Sequence, residues 1–386
     1  MGENVDFKSI REQLKAYIEN PALEGKESID AVQEVFSIEN IATSDMGVLF
    51  NEGIEFMKEH LCGACVMAGG QGTRLGFDHP KGMYPAGPHS NKSLFQLFAE
   101  RILRLNKLSG VRIPFFIMTS LLNDAETKRF FRTNDFFGLS EEDVIFFSQT
   151  GLPAMNKEGE LLNNPDGTLT NLPDGNGAIF SVFPVHELES RNIEYVHIFS
   201  VDNVLVLPCD PIFMHYTHKQ EADAALKSVL RLPRERAGAI IARGGGVRVV
   251  EYSELPEEEE DCTPFTEANI ANHIFSTVLM KSLLEEPLPY HFAHKKIPCE
   301  EEYEPQEPNA YKIEKFIFDA LERSVKTAVM RTERHVEFGP FKNANGAAKD
   351  TPEQGQQMLL DLHHSWTGAH AEVSPLKSYC GEGYVF

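Results

Sequence analysis

The chain has 386 residues, enough for two or three domain-sized units at about 150 residues each. Its formal charge of −22 excludes broad nucleic-acid or anionic-membrane surfaces, since either polyanion is repelled over most of the protein, so any phosphate site must be a local basic pocket. No run of about 18 apolar residues offers a membrane span. The N-terminus MGENVDFKSI has no basic-then-apolar leader, and Asp6 stands where a myristoylation motif wants Ser or Thr; a cytoplasmic protein is expected.

Residues 1–55 are expected to form a helical preface, because Ile10, Leu14 and Ile18, and later Val32, Val35 and Phe36, recur at helical spacing, interrupted by Pro21 and Gly25. From Leu61 the pattern changes. "LCGACVMA" reads as a buried strand, then comes a glycine loop, then "KSLFQLFAERILRLNKLSG" as a helix opened by a Ser93/Gln96 capping box and stopped by Gly110. Cys62 and Cys65, the only close pair among six cysteines, lie in that strand; with no second CxxC they read as reduced core residues. Strands continue with "VRIPFFIMTS", "DVIFFSQ", "YVHIFSVDN" and "AALKSVLRL". Gly244-Gly245-Gly246 reads as a turn into "VRVVEYSEL", "PEEEED" at 256–261 as a solvated acidic loop, and "AYKIEKFIFDALERS" as a helix. The expected class is α/β: a doubly wound, Rossmann-like mixed sheet, with a catalytic domain over 56–330 and a short C-terminal module over 331–386.

The loop "VMAGGQGTRLGFDHPKG" carries the chemistry. A dinucleotide fingerprint needs G-x-G-x-x-G, but Gly70-Gln-Gly72 is followed by Thr73, Arg74 and Leu75 before Gly76; a P-loop needs Gly-Lys-Ser/Thr, which is absent. What remains is a strand and a glycine turn whose backbone N–H groups can approach a triphosphate, with Arg74 and Lys81 placed to neutralise its oxygens. Lys81 after Pro80 also fits a surface lysine. Asp202 ends the strand "FSVDN", where open α/β sheets place ligand groups, and is an oxygen donor of the kind Mg²⁺ takes; an Asx turn with Asn203 is the other reading.

The pattern G-G-x-G-T-R-x-G followed by P-K resembles the signature of nucleotidyltransferases that make nucleoside-diphosphate sugars. "AGGQGTRLGFDHPKGMYPAG" is similar to the eukaryotic UDP-N-acetylhexosamine pyrophosphorylases, and further segments match in order: "LPAM" at 152–155, "PDGNGAIF" at 173–180, "VDNVLVLPCDP" at 201–211, "VVEYSEL" at 249–255, "ANIANHIF" at 268–275, "HKKIP" at 294–298, "KIEKFIFD" at 312–319, "FKNANG" at 341–346 and "LHHSW" at 362–366. The resemblance spans nearly everything after residue 60.

It implies attack by the phosphate oxygen of N-acetylglucosamine 1-phosphate on the α-phosphorus of UTP, giving UDP-N-acetylglucosamine and pyrophosphate with Mg²⁺ as cofactor. Two anions must meet, so positioning and charge neutralisation carry such a reaction. Carried over by resemblance, Gly69, Gly70 and Gly72 hold the nucleotide, Arg74 and Lys81 its phosphates, Asp202 the metal, and Gln149 and Gly175 the uracil. Asn176, Gly238, Glu251, Tyr252 and Asn269 line the sugar pocket. Lys342 reaches the phosphates, with Lys296 a weaker candidate that also fits a solvated strand lysine. His363 and His364, adjacent on a helix, point in different directions and read as packing rather than metal ligands. The chain has fewer residues after "LHHSW" than the family usually has, so the C-terminal module is expected to be trimmed and the protein a monomer. Alternatives of the same sequence are the same chemistry on N-acetylgalactosamine or glucose 1-phosphate, or a sugar-nucleotide sensor without catalysis.

Overall fold

The computed structural model describes residues 6–19, 30–233, 235, 237–251 and 265–367. Tyr252 and the acidic run 256–261 lie outside the described residues.

The core is one mixed sheet with helices on both faces. Its strands are β1 (Asp30–Ala31), β2 (Val35–Ser37), β3 (Leu61–Met67), β4 (Phe115–Ser120), β5 (Val144–Gln149), β8 (Ile193–Ser200), β9 (Ala224–Leu230), β10 (Ala239–Arg243), β11 (Gly246–Val250), β12 (Glu267–Ser276) and β15 (Thr327–Arg331). Hairpins β6 (Gly151–Pro153) with β7 (Asn171–Pro173), and β13 (His291–Lys295) with β14 (Ala310–Glu314), stand apart from it. The main path runs β2-β15-β9-β12-β8-β3-β4-β5. The block β8-β3-β4-β5 is parallel throughout, whereas β12 is antiparallel to both β8 and β9. Six of the seven β3 residues are buried because helices cover both faces, which is why this strand reads as an unbroken apolar run. Cys62 joins the core on one face and Cys65 the core on the other, and burial pushes both thiols above the ordinary cysteine range. Such thiols are poor metal ligands and nucleophiles.

The helix Leu94–Ser109 starts as expected: Ser93 Oγ accepts from the Gln96 N–H, and Gly110 closes it in the left-handed conformation at φ +75°. The capping box is only half formed: the Gln96 Nε2 donates to Glu100, and its side-chain oxygen accepts no bond from the Ser93 N–H. Two expectations are corrected. Val32, Val35 and Phe36 do not form a helical face; Val35 and Phe36 belong to β2, which pairs in parallel with β15, because the open edge of the sheet offers a backbone ladder there. "AYKIEKFIFDALERS" is not one helix: Ala310–Glu314 pairs antiparallel with His291–Lys295, and Ile317–Arg323 forms 3₁₀ turns. Five consecutive buried residues, Ile317 to Leu321, suit such a buried winding segment and not a one-sided helix. The helices Phe7–Glu19 and Thr43–Glu59 bracket the N-terminal strands, and the first buries Ile10 and Leu14 against Leu152, Met155, Phe292 and Ile313.

Candidate active site

β3 is followed in the chain by β4 on one side, while its other neighbour is β8, so the strand order reverses between β3 and β8. Crevices at such reversals, beyond the carboxyl ends of the strands, are where open α/β sheets bind ligands. Met67 pairs with Ser200 in register, and the Val201 N–H reaches the Met67 carbonyl at 3.3 Å. The glycine loop leaving β3 and Asp202 leaving β8 therefore emerge side by side.

The loop is held by its own backbone and by two residues that the sequence pattern gave no reason to select. Gly72 N–H donates to the His79 carbonyl at 2.9 Å, and Lys81 N–H to the Gly70 carbonyl at 3.1 Å. Ser120 Oγ donates to the Gly69 carbonyl at 2.8 Å, and the buried Asn123 amide to the Ala68 and Gly70 carbonyls at 2.9 and 3.3 Å. Asn123 has the local signature of a helix cap before Asp124, yet its oxygen accepts from Ser120 N–H and its amide serves the loop. Gly70 itself is exposed, with no atom within 4 Å of the position a Cβ would take, so its backbone is open to a ligand. Arg74, on the turn Thr73–Leu75, is exposed and makes no hydrogen bond or ion pair with the described residues.

Lys81 and the later cation segment meet at the crevice. Lys81 Nζ donates to the Phe341 carbonyl at 3.4 Å, while the Phe341 N–H donates to the Asp202 carbonyl at 2.8 Å. Lys342, the next residue, is exposed, with its ammonium 5.6 Å from the centre of the Phe338 ring. Asp202 Oδ1 accepts from Ser200 Oγ at 2.7 Å. The Asx turn belongs to Asn203, whose Oδ1 accepts from Leu205 and Gly339 N–H.

Two buried cations brace this region. Arg101 donates to the Val204 and Val206 carbonyls at 2.7 and 2.8 Å, fixing the loop after Asp202; burial lowers its pKa to about 10, still well above neutrality. Lys227 lies between Asp210 and Glu337, 2.6 Å from each, tying β9 to the segment that leads to Phe341. Burial opposes its charge, but the two carboxylates outweigh that and hold its pKa above the ordinary lysine value. Neither has a sequence signal: Arg101 reads as a charged position of its helix and Lys227 as a lysine inside an apolar strand, and the carbonyls that hold Arg101 and the Glu337 that holds Lys227 lie more than 100 positions away.

The other expected residues fall into two groups at the same end of the sheet and one that does not join them. Gln149 ends β5 with its side-chain oxygen against Gly69; a Cβ on Gly69 would stand 2.8 Å from it, so glycine is required for that approach. Gly175 adopts φ +85°, and a Cβ there would come within 2.3 Å of the Lys315 carbonyl. Asn176 Oδ1 accepts from Ile317 N–H at 2.9 Å, and its amide N–H₂ makes no hydrogen bond with a described residue. Asn269 N–H donates to the Gly238 carbonyl at 2.9 Å, and the Ala239–Val250 pairing brings Glu251 beside Gly238. Asn269 opens a bulge in β12 in which Ala271 holds φ +53°; since Asn272 pairs with Phe199, the bulge lies at the Asp202 end of β8. Lys296 sits at the end of the separate β13–β14 hairpin, donating to the Gln306 carbonyl. His363 is buried and His364 exposed, so the two do point apart.

Among the described residues no helix is long and apolar enough to cross a membrane. The profile of the family described as UTP–glucose-1-phosphate uridylyltransferase matches residues 16–378. The chain is 35% identical over 398 residues to the UDP-N-acetylhexosamine pyrophosphorylase-like protein 1 of Xenopus tropicalis, covering 90% of this chain and 78% of that protein. It is 36% identical over 365 residues to the UDP-N-acetylglucosamine pyrophosphorylase of Saccharomyces cerevisiae, covering 86% and 76%. Its fold superimposes on the crystal structure of the uridine diphosphate N-acetylglucosamine pyrophosphorylase of Trypanosoma brucei with a TM-score of 0.83 at 30% identity, over 94% of this chain and 78% of that one. Sequence, fold and crevice agree that the chain belongs to the UTP–glucose-1-phosphate uridylyltransferase family.

Proposed function

We propose that the chain is a UDP-N-acetylglucosamine pyrophosphorylase, joining UTP and N-acetylglucosamine 1-phosphate into UDP-N-acetylglucosamine with release of pyrophosphate. The observation that carries this reading is the meeting of Gly70, Lys81, Phe341 and Asp202 where β3 and β8 end together.

In this reading the UTP phosphates lie on the open backbone of Gly70, with Arg74 over the oxygens that leave as pyrophosphate. Lys81 stands at the α-phosphate, where charge builds as the sugar phosphate attacks in line and the pyrophosphate oxygen departs. The Phe341 carbonyl is its weak resting partner, and a phosphate oxygen replaces it. Lys342 can swing from the Phe338 face toward the same phosphates, since an exposed cation on an aromatic ring is held by about 0.5–1 kcal/mol. No side chain need act as nucleophile; the phosphate is already one.

Uracil recognition falls to Gln149 and Gly175. The amide both donates and accepts, matching the imide edge of uracil, and the glycine admits the base to the backbone. Gly238, Glu251, Asn269 and the amide N–H₂ of Asn176 form the sugar side; Tyr252, outside the described residues, is assigned to it by the sequence resemblance alone. Lys296 is the residue least supported as a phosphate contact, because its ammonium is taken by Gln306 on a separate hairpin.

Asp202 fits Mg²⁺: its Oδ1 takes one hydrogen bond from Ser200, and its other carboxylate oxygen makes none with a described residue. Mg²⁺ usually takes one or two carboxylates plus substrate phosphates. When bound it neutralises phosphate charge, while Asp202 keeps its place through the Phe341 N–H bond to its carbonyl.

Incubation of the protein with UDP-N-acetylglucosamine and pyrophosphate should regenerate UTP. Tight binding of the sugar nucleotide without any UTP formed would instead leave a sensor.

A further inference from the structure

The opposite ends of the same two strands carry a second constellation. His60 follows the helix Thr43–Glu59 and immediately precedes β3, Glu194 is the second residue of β8, and His218 lies in the last turn of the helix Pro211–Lys219. One ligand atom from each lies within 4.8 Å of the others. His60 Nδ1 is hydrogen-bonded to Glu194, 2.9 and 3.1 Å from its two oxygens, somewhat closer than the roughly 3.4 Å between donors of a tetrahedral ion bound at about 2.0–2.2 Å. The His218 ring stands 4.4 Å from that of His60, centroid to centroid. His60 and His218 are partly exposed and Glu194 is exposed, so all three side chains reach solvent.

Phe56 makes this more than a chance meeting. Its ring packs against His60 at 4.7 Å and His218 at 5.0 Å, so both partly exposed imidazoles rest against one apolar ring, with Tyr195 edge-on to His218. Burial, followed by the nearness of His60, lowers the pKa of His218, which favours the neutral ring that ligates metals. Two nitrogens and one carboxylate make a donor set for zinc-class cations and a poor one for Mg²⁺. The seven-residue strand β3 separates this cluster from the glycine loop by about 20 Å, so it is independent of any ion at Asp202.

We propose that His60, Glu194 and His218 form a site for a divalent transition cation of the zinc class, with water completing the shell, that staples the helices Thr43–Glu59 and Pro211–Lys219 to the start of β8.

The test is titration of the full chain with Co²⁺ in excess Mg²⁺, read by visible ligand-field absorption, alongside thermal unfolding with and without Zn²⁺. The expected result is one equivalent of Co²⁺ with bands of low coordination number and no thiolate charge-transfer band, displaced by Zn²⁺, and a rise in Tm of about 2 °C or more. Glu194→Gln and His218→Phe, the latter keeping an aromatic ring against Phe56, should each lower Co²⁺ affinity at least tenfold. Asp202→Asn should leave it unchanged. Absence of Co²⁺ binding in the wild type, or equal binding by both variants, would overturn the proposal. If His218→Phe fails to fold, Glu194→Gln decides alone.

Discussion

Lys81 and Phe341, 260 positions apart, are joined by a 3.4 Å hydrogen bond from the lysine ammonium to the phenylalanine carbonyl. The same Phe341 donates its N–H to the Asp202 backbone carbonyl, so one residue late in the chain links the loop after β3 to the backbone that carries the carboxylate after β8.

That bond is long and partly exposed, so it contributes little to folding. Lys81→Ala is expected to change stability by less than about 0.5 kcal/mol, yet to lower kcat by about 10²–10³-fold with a much smaller change in UTP affinity. Steady-state kinetics beside UTP titration separates the two effects. Equal losses in kcat and binding would make Lys81 a binding residue only.

Gln149 has its amide beside Gly69 and at the crevice end of β5. Gln149→Ala should reduce discrimination between UTP and CTP by roughly 10–100-fold, the size expected for removing a paired hydrogen-bonding edge. Comparing kcat/KM for the two nucleotides checks this. An unchanged ratio removes Gln149 from the base pocket.

Lys227 tests the scaffold. Lys227→Met leaves Asp210 and Glu337 buried without their counter-ion, and a loss of about 3–5 kcal/mol is expected in denaturant unfolding. The sign of its pH dependence follows from a folded pKa above the unfolded one. Its stabilisation is complete below the ordinary lysine value and disappears as pH climbs through the raised value, so the wild type should lose stability at strongly alkaline pH and the variant should lack that component.

His197 and His273 set the acid limit. Both are buried, and burial lowers each pKa to about 3. His197 is satisfied: it accepts from Cys209 N–H at 2.8 Å and its other nitrogen faces Asn272 Oδ1 at 2.5 Å. His273 has no hydrogen-bond partner for either ring nitrogen among the described residues. Unfolded histidine takes up a proton near pH 6.5 and the folded rings do not, so stability present above that pH is lost at about 1.4 kcal/mol per pH unit per histidine on acidification toward about pH 3. His273→Leu should be neutral or stabilising by about 1 kcal/mol at pH 7 and should flatten the acid limb by one histidine's share. Unfolding free energies between pH 4 and 7 measure it.

Much of this architecture was legible because it depends on local signals. Buried parallel strands produce continuous apolar runs, and β3, β4 and β5 each stand where such a run predicts them. The glycine spacing likewise defined the loop and the candidate cations at Arg74 and Lys81. What escaped depends on partners far along the chain. Val35 and Phe36 are extended only because β15 lies beside them, and "AYKIE" at 310–314 is a strand only because His291–Lys295 pairs with it. The bracing roles of Arg101, Lys227, Ser120 and Asn123 were hidden for the same reason: a lysine inside "AALKSVL" gives no hint that two carboxylates converge on it.

The most direct test of the account is pyrophosphate release by the purified protein with UTP and Mg²⁺, comparing N-acetylglucosamine 1-phosphate with its N-acetylgalactosamine and glucose counterparts. The account predicts robust release, fastest with N-acetylglucosamine 1-phosphate and abolished or nearly so in Lys81→Ala. Absence of release with all three sugars, or release that Lys81→Ala leaves intact, would contradict it.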